Sequence, residues 1–281
     1  MKIPKKLCIV LCLVLVGSFA HLIHALVDMH RAGKFQVLKP NENGVAFFKD
    51  TPCQHSNIDF RDITFHIISS YNTYAKRIPI IDQAWVADAM SRGAKVIITV
   101  GPGESNFTDP RVVRMPRDNN GGCGSPPQGH CDLIFKEHSQ MLAERVRTRL
   151  VVNCDDDTVY HLDRYLETLR CLPKYELWGL GDCQKAHWEP RSFCGGGASI
   201  TYPRTLLPYL STCDSGLGRA DDVQVSWCLM DAGAVLINHP TFRYADDYCS
   251  NEGYEWVSVH HVFMDPHLCT DNRLKTLILH P

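Results

Sequence analysis

The sequence predicts an α/β fold built on a parallel sheet, and two observations support this prediction. Two apolar runs rich in β-branched residues, 63–68 and 94–100, flank a segment with helical spacing at 77–92. A strand, a helix and a strand within about forty residues form a βαβ unit. The apolar run 150–154 then ends abruptly at three aspartates. Such a run is typical of a buried strand, so the aspartates are expected where open α/β sheets hold their ligands.

The three aspartates, Asp155, Asp156 and Asp157, indicate a cation site. Adjacent carboxylates repel one another, and a bound cation holds them together near neutral pH. In an extended chain Asp155 and Asp157 point to the same side. Such a pair suits Mg²⁺ or Mn²⁺, which bind carboxylate and phosphate oxygens together. A solvated acidic turn is the alternative. An EF-hand fits less well, because its turn glycine and closing glutamate are missing.

Composition excludes some partners. The chain has 281 residues, enough to bury a substantial core. Its formal net charge is -2, and the lysines and arginines form no basic stripe, so nucleic acid is not an expected partner. The 14 histidines would partly protonate in a weakly acidic compartment, so the sign of the net charge depends on location.

The cysteines predict an oxidising compartment. Of the 13 cysteines, Cys8 and Cys12 lie in the apolar N-terminus, and the others show no Cys-x-x-Cys spacing. Several disulfides are therefore expected. The number outside the N-terminus is odd, so at least one thiol stays free or pairs with another chain. Cys154, inside the predicted buried strand, is the candidate for the free thiol.

The N-terminus predicts entry into the secretory lumen. Three lysines within residues 1–6 precede an apolar stretch at 7–27. This pattern favours a cytoplasmic tail followed by a signal-anchor transmembrane helix with its C-terminal side in the lumen. The alternative is a cleaved signal peptide, because Ser18–Ala20 resembles a cleavage site. Both interpretations place the rest of the chain in the lumen.

The middle of the chain divides into a linker and a folded domain. Residues 28–58 show no strong periodicity, so we predict a stem or linker there and a lumenal domain over 59–281. Asn106 begins a glycosylation sequon. Residues 116–132, rich in glycine and proline, predict a long loop that either faces the substrate or is merely mobile.

Helices are predicted over 133–149, 159–172 and 203–210. Between the last two lies a run of three glycines, Gly195–Gly197, which lets backbone approach a ligand closely or forms an ordinary flexible turn. Its spacing is not that of a dinucleotide fingerprint. A further helix is predicted to begin at Asp221 and Asp222, where both aspartates could simply cap it.

The last predicted strand is 257–262, whose histidines could face a site.

Four segments in this order resemble the fringe-like branch of the β-1,3-glycosyltransferases, glycosyltransferase family thirty-one. The resemblance covers roughly residues 60 to 265. The segments are Cys154–Val159, Gly195–Ala198, Asp221–Val223 and Val259–Val262.

The resemblance implies a GT-A fold, a Rossmann-like mixed sheet flanked by helices, in an inverting hexosyltransferase. This enzyme would use a UDP-sugar donor and Mn²⁺, and would form a β-1,3 linkage to a hydroxyl of a glycan or glycoprotein acceptor. It would be a type II Golgi membrane protein, or secreted if the N-terminus is cleaved. The chain departs from the family in lacking a bulky residue after its glycine motif.

The resemblance also implies roles for individual residues. The metal ligands fall on Asp157, with Asp155, and on His261, with His260 as the alternative. The remaining roles follow in the same way: Asp155, Asp156, Gly196 and Gly197 contact the nucleotide donor, and Asp222 is the general base, with Asp221 as a supporting or alternative residue.

Two other classes of function remain open from the sequence. One is a catalytically silent sugar-binding or chaperone module with the same fold, which need not keep both Asp157 and Asp222. The other is a structural zinc protein, although the candidate ligands lack closed zinc spacings. These candidates are Cys249, His260, His261, His267 and Cys269.

Overall fold

The computed structural model describes residues 41, 45–47, 56–103, 107–117, 130–172, 177–184, 191–213, 221–239, 242–243 and 258–259. They all belong to one compact unit, Lys39–Pro281. The chain's other unit, Met1–Leu38, lies outside the described residues, and so do the predicted tail and anchor. Among the helices that are described, none combines the length and apolar character needed to cross a membrane.

An eight-stranded mixed sheet forms the centre of the described region, which confirms the predicted α/β class. The strands are β1 (Val45–Phe47), β2 (Ile63–Ser69), β3 (Lys95–Val100), β4 (Val112–Arg114), β5 (Leu150–Asp155), β7 (Trp178–Gly181), β10 (Ile200–Pro203) and β11 (Val235–Asn238). Their spatial order is β1-β11-β7-β10-β5-β2-β3-β4. Only β10 among these strands runs antiparallel to its neighbours, so the sheet is mostly parallel.

The register of β2 against β5 determines where the acidic segment emerges. These parallel strands pair from Ile63 with Leu150 to Ile68 with Asp155. Parallel strands end at the same edge of a sheet. Asp155 therefore leaves the sheet beside Ser69, the last residue of β2.

Helix α1 (Tyr71–Ile81) begins immediately after β2. Ser70 caps it, since its hydroxyl accepts a hydrogen bond from the Thr73 N–H at 3.2 Å and Thr73 bonds back to the Ser70 N–H. The helix continues through a π-helical turn, Asp82–Val86, into α2 (Ala87–Ser91). It therefore starts six residues before the predicted position, because the cap acts where the apolar spacing is still weak.

The other described helices are α3 (His130–Arg145), α4 (Leu162–Arg170), α5 (Leu207–Leu210) and α6 (Asp221–Asp231). They lie close to the predicted segments. The predicted helix over 159–172 begins later than expected, because Val159 and Tyr160 instead form a short strand, β6.

An aromatic cluster lies on one face of the sheet. There the sheet packs against α1, against the π-helical turn that follows it, and against α4. Phe65 of β2 contacts Trp85 and Tyr160, with ring centroids 5.0 and 5.4 Å away. Tyr160 also contacts Tyr165 of α4 at 5.1 Å. These residues are all less than 5% exposed, so they form a dry layer directly beneath the acidic segment.

The opposite face packs against α3, α5 and α6 in a second core. Its aliphatic members include Leu142, Leu207 and Leu229 from the helices and Val151 and Leu236 from the sheet. Two helix layers therefore enclose the sheet, the arrangement expected for an α/β protein.

The cysteines agree with the prediction of an oxidised protein. Disulfides join Cys183 to Cys194 and Cys213 to Cys228. Cys154 is buried and is the free cysteine of the described residues, as predicted. Burial raises the pKa of its thiol, so it stays protonated and inert.

The structure differs from the prediction at several strands. Part of the predicted linker, Val45–Phe47, is an edge strand of the sheet and pairs with β11. The strands β7, β10 and β11 were not predicted, and neither were the short strands β8 (Cys183–Gln184), β9 (Phe193–Cys194) and β12 (Phe242–Arg243). These strands are two to four residues long, too short for a periodic pattern to identify.

Candidate active site

The acidic turn, Asp155–Thr158, follows directly from β5. The chain leaves the extended conformation after Asp155, and the Thr158 N–H donates to the Asp155 carbonyl at 3.2 Å. The expected alternation of Asp155 and Asp157 therefore stops at the turn. The Trp85 indole N–H fixes the far side of the turn by donating to the Thr158 carbonyl at 2.9 Å.

Asp156, for which the resemblance implies a contact with the donor, lies almost completely inside the protein. It is 3% exposed. Its Oδ2 accepts hydrogen bonds from the hydroxyls of Ser69 at 2.6 Å and Thr73 at 2.5 Å, and its Oδ1 from Arg77 at 2.7 Å. Burial raises the pKa of this carboxyl, while the three donors oppose the rise. Asp156 thereby ties the turn to the first turns of α1.

Asp157 shares the same arginine. The Arg77 guanidinium nitrogen that binds Asp156 lies 3.1 Å from Asp157 Oδ2. Asp157 is 2% exposed, whereas Asp155 is half-buried. The three aspartates thus have three different environments, and Asp155 is the most exposed of them.

The glycine loop, Gly195–Ala198, lies against the acidic turn. Its last three residues form one turn of 3-10 helix. The Thr158 hydroxyl donates to the Gly197 carbonyl at 2.6 Å, which joins the loop to the turn. The next residue, Ser199, has a φ of 84°, a conformation that few residues other than glycine adopt. Backbone strain of this kind is concentrated at functional sites.

Asp222, near the start of α6, contacts the glycine loop. Its Oδ2 accepts a hydrogen bond from the Gly196 N–H at 3.1 Å, and its Oδ1 accepts one from the Val223 N–H at 2.7 Å. A Cβ at Gly196 would lie only 2.9 Å from the Asp222 Cβ. Glycine is therefore needed at 196 for this close approach.

The pKa of Asp222 is raised to about 6. Burial is the main cause, and the charge of Asp155 adds to it, whereas the backbone N–H groups of Gly196 and Val223 lower the pKa. A carboxylate with a pKa closer to neutrality accepts a proton from a hydroxyl more readily than an ordinary aspartate does. The site thus contains one carboxylate whose protonation properties suit a general base.

Hydrogen bonds of Ser226 and a disulfide also hold the glycine loop in place. The Cys194 N–H donates to the Ser226 hydroxyl at 2.9 Å, and this hydroxyl donates to the Asp222 carbonyl at 2.8 Å. The disulfide from Cys194 to Cys183 fixes the start of the loop to the strand after β7. The loop is therefore joined to the start of α6 by hydrogen bonds and to the strand after β7 by a disulfide.

Some predicted site residues lie outside the described part. Asp221 begins α6, but its side chain is not described, and His260 and His261 are not described at all. The described strand before them, β13 (Ser258–Val259), pairs with β6, so that Val259 lies opposite Val159. The last described strand therefore pairs with the segment that directly follows the acidic turn.

The described donor atoms fit a hard divalent cation. Asp155 and Asp157 offer carboxylate oxygens, which Mg²⁺ and Mn²⁺ prefer in combination with phosphate oxygens. Within the described ranges, no group of three or more histidine, cysteine or acidic side chains surrounds a common point. A divalent metal held by these two carboxylates would need further oxygen ligands, such as those of a diphosphate.

Sequence reasoning missed Ser69, Thr73 and Arg77. A signal for Thr73 was present, because Ser70 and Thr73 have the spacing of a helix cap directly after a strand. No local signal identified Arg77 as the partner of Asp156, 79 residues away, because the contact depends on the pairing of β2 with β5.

Comparison with known proteins gives matches in structure alone. No protein-family model matches the sequence, and no curated protein matches it significantly. A mannosyltransferase from Pyrobaculum calidifontis, in complex with GDP-Man and Mn²⁺, has a TM-score of 0.42 and 15% identity, and the match covers 79% of this chain. This chain spans 64% of that protein, less than two thirds of its length.

Two further structures give similar values. The catalytic domain of Drosophila β1,4-galactosyltransferase 7, in complex with xylobiose, has a TM-score of 0.40 and 10% identity, with 72% of this chain and 73% of that chain covered. The inositol-1-phosphate CTP transferase from T. maritima has a TM-score of 0.40 and 8% identity, with 63% and 85% covered.

Proposed function

We propose that this protein is a glycosyltransferase of the GT-A type that transfers a sugar from a UDP-sugar to a hydroxyl of a glycan or glycoprotein. One observation carries the proposal. The acidic turn at the carboxyl end of β5 and the base candidate Asp222 are joined through the glycine loop, by Thr158 to Gly197 at 2.6 Å and by Gly196 to Asp222 at 3.1 Å. The proposed site for a metal-bound diphosphate would therefore lie next to a carboxylate able to accept a proton.

The two parts of this site suit the two halves of a sugar transfer. Asp157 and Asp155 would hold Mn²⁺, together with His261 or His260. When bound, the metal neutralises the charge that grows on the leaving diphosphate. Asp156 does not take part directly, because Ser69, Thr73 and Arg77 occupy its carboxylate.

Asp222 would act on the acceptor. As the acceptor oxygen forms its bond to the anomeric carbon, the bond from that carbon to the diphosphate oxygen breaks and the electron pair leaves with UDP. The hydroxyl proton passes to the Asp222 carboxylate. Attack from the face opposite UDP would invert an α-linked donor sugar to the β configuration, and attack by a 3-hydroxyl of the acceptor would give the proposed β-1,3 linkage. The two backbone N–H donors orient the carboxylate for this step.

The proposed setting is the Golgi lumen. The protein would be a type II membrane protein with its anchor at 7–27 and its catalytic domain after the stem, or a secreted form if the N-terminus is cleaved. Two disulfides within the described domain suit this oxidising setting. Carbonate extraction of membranes tests the anchor, and release of all the protein into the supernatant would contradict it.

A screen of UDP-sugars for Mn²⁺-dependent hydrolysis tests the function. A glycosyltransferase should hydrolyse its own donor slowly without an acceptor, and only with the metal present. Binding of UDP without hydrolysis or transfer of any sugar would instead favour the silent sugar-binding or chaperone module. Absence of UDP binding with Mn²⁺ present would contradict the proposal.

A further inference from the structure

Arg77 is the cation closest to the acidic turn among the described contacts. A single guanidinium nitrogen lies 2.7 Å from Asp156 Oδ1 and 3.1 Å from Asp157 Oδ2. The Arg77 side chain is 28% exposed, whereas both aspartates are almost completely buried. The arginine therefore covers the two buried carboxylates on their solvent side.

Arg77 remains charged in this position. A guanidinium is always protonated in proteins, and the adjacent carboxylates of Asp156 and Asp157 favour its charged form. The three aspartates of the turn carry three negative charges and Arg77 carries one positive charge. The net charge of the turn with Arg77 is therefore two negative charges. Without Arg77 the same turn would carry one more negative charge on two carboxylates that water barely reaches.

We propose that Arg77 sets the charge of the acidic turn, so that the site binds its divalent metal weakly alone and firmly only together with a diphosphate. This inference rests on the proposed function. Arg77 competes electrostatically with a metal for Asp157, which weakens binding of the metal alone. The same positive charge favours an incoming diphosphate, which the aspartates would otherwise repel. Arg77 is thus a positioning residue that makes metal binding depend on the nucleotide.

The proposal predicts opposite effects on two ligands. Arg77→Gln should bind Mn²⁺ more tightly in the absence of nucleotide, by about tenfold, because a unit charge within a few ångströms changes a divalent interaction by this order. The same variant should bind UDP more weakly in the presence of saturating Mn²⁺. A merely structural role for Arg77 would weaken both.

A charge series makes the test independent of the folding of any single variant. Asp156→Asn lowers the negative charge of the turn by one, and the double variant Arg77→Gln with Asp156→Asn restores the wild-type charge. Mn²⁺ binding to the full chain without nucleotide can be measured by equilibrium dialysis with detection by electron paramagnetic resonance. The affinity should rise from Asp156→Asn to the double variant by about tenfold. This comparison holds even if Arg77→Gln alone fails to fold.

Arg92→Gln is the matched control. Arg92 lies over the ring of Phe60 at 5.4 Å, next to the start of β2 and therefore at the opposite edge of the sheet from Asp155. The Arg92→Gln variant loses the same positive charge far from the acidic turn, so its Mn²⁺ affinity should equal that of the wild type. If Asp156→Asn and the double variant bind Mn²⁺ with equal affinity, the role proposed for Arg77 is wrong. Mn²⁺-dependent UDP binding by the wild type would in that case still support the proposed function. Absence of that UDP binding would instead contradict the proposed function.

Discussion

The backbone N–H of Gly196 donates a hydrogen bond to Asp222 Oδ2 at 3.1 Å, although the two residues are 26 positions apart. The other carboxylate oxygen accepts from Val223. Both oxygens are therefore oriented by main-chain groups, which cannot rotate away as side chains can. This contact joins the glycine loop to the proposed base, so a substitution of either residue should reduce turnover.

Asp222→Asn should lose about 10²–10⁴-fold in turnover, because the amide cannot accept the acceptor proton. UDP binding with Mn²⁺ should persist, since Asp222 lies on the acceptor side of the proposed site. Steady-state kinetics and calorimetric titration with UDP check the two parts. Asp231→Asn is the control, because this residue is at the other end of the same helix in an exposed ion pair with Arg191. If Asp222→Asn retains turnover and Asp221→Asn does not, Asp221 is the base.

Gly196→Ala should reduce turnover by at least about tenfold, because the new Cβ at 2.9 Å from the Asp222 Cβ forces the carboxylate out of place. Gly179→Ala is the matched control. Its Cβ would meet the Leu229 side chain at 2.8 Å, in the core rather than at the site. Thermal unfolding and kinetics together separate the variants. Gly179→Ala should lower stability and keep the turnover of the folded protein, and an equal loss of turnover in both variants would refute the positioning of Asp222 by Gly196.

UDP affinity should fall by at least about tenfold in Asp157→Ala and on addition of EDTA, since a diphosphate and the aspartates need a cation between them. Asp163→Ala, an exposed residue on α4 that pairs with Arg92, serves as the control. Isothermal titration with UDP gives the affinities. Unchanged affinity in EDTA would be decisive against a metal-dependent site.

Much of this architecture could be predicted from local patterns. The strands β2, β3 and β5 are long enough to show a continuous apolar run. The aspartates at the end of β5 indicated the edge of the sheet where a ligand is expected. The order of the sheet could not be predicted. The insertion of antiparallel β10 between β5 and β7 joins segments about fifty residues apart, and no local periodicity carries that information.

The candidate site was predictable to a similar extent. The turn, the glycines and Asp222 were identified by residue type and by resemblance to a family. Their roles were less predictable, because the turn directs Asp156 inward to Ser69, Thr73 and Arg77. A pattern of acidic residues does not show which carboxylate is satisfied within the protein and which is open to a ligand.

The stability of the fold should fall on mild acidification, because of a buried histidine pair beneath the site. His66 bonds Asn153 and Thr99 at 3.0 Å each, and its ring lies 5.2 Å from that of His138. Burial lowers the pKa of His66 to about 4, although Asn153 and Asp155 oppose this. Burial, with a contribution from His66, lowers the pKa of His138 to about 3.

Both histidines are therefore neutral in the folded protein at a pH where the unfolded chain, with a histidine pKa of about 6.5, binds protons. The unfolded state binds more protons throughout this window, so the free energy of unfolding decreases as the pH falls from about 6.5 toward the folded values of about 4 and 3. Between pH 7 and pH 5 we expect a loss of about 2 kcal/mol for each histidine. Urea unfolding at the two pH values measures it. Protonation of Asp222 opposes this loss equally in the wild type and in His138→Gln, so the loss in the variant should be smaller than in the wild type by about 2 kcal/mol. An equal loss in the wild type and in His138→Gln would show that His138 is not buried in its neutral form.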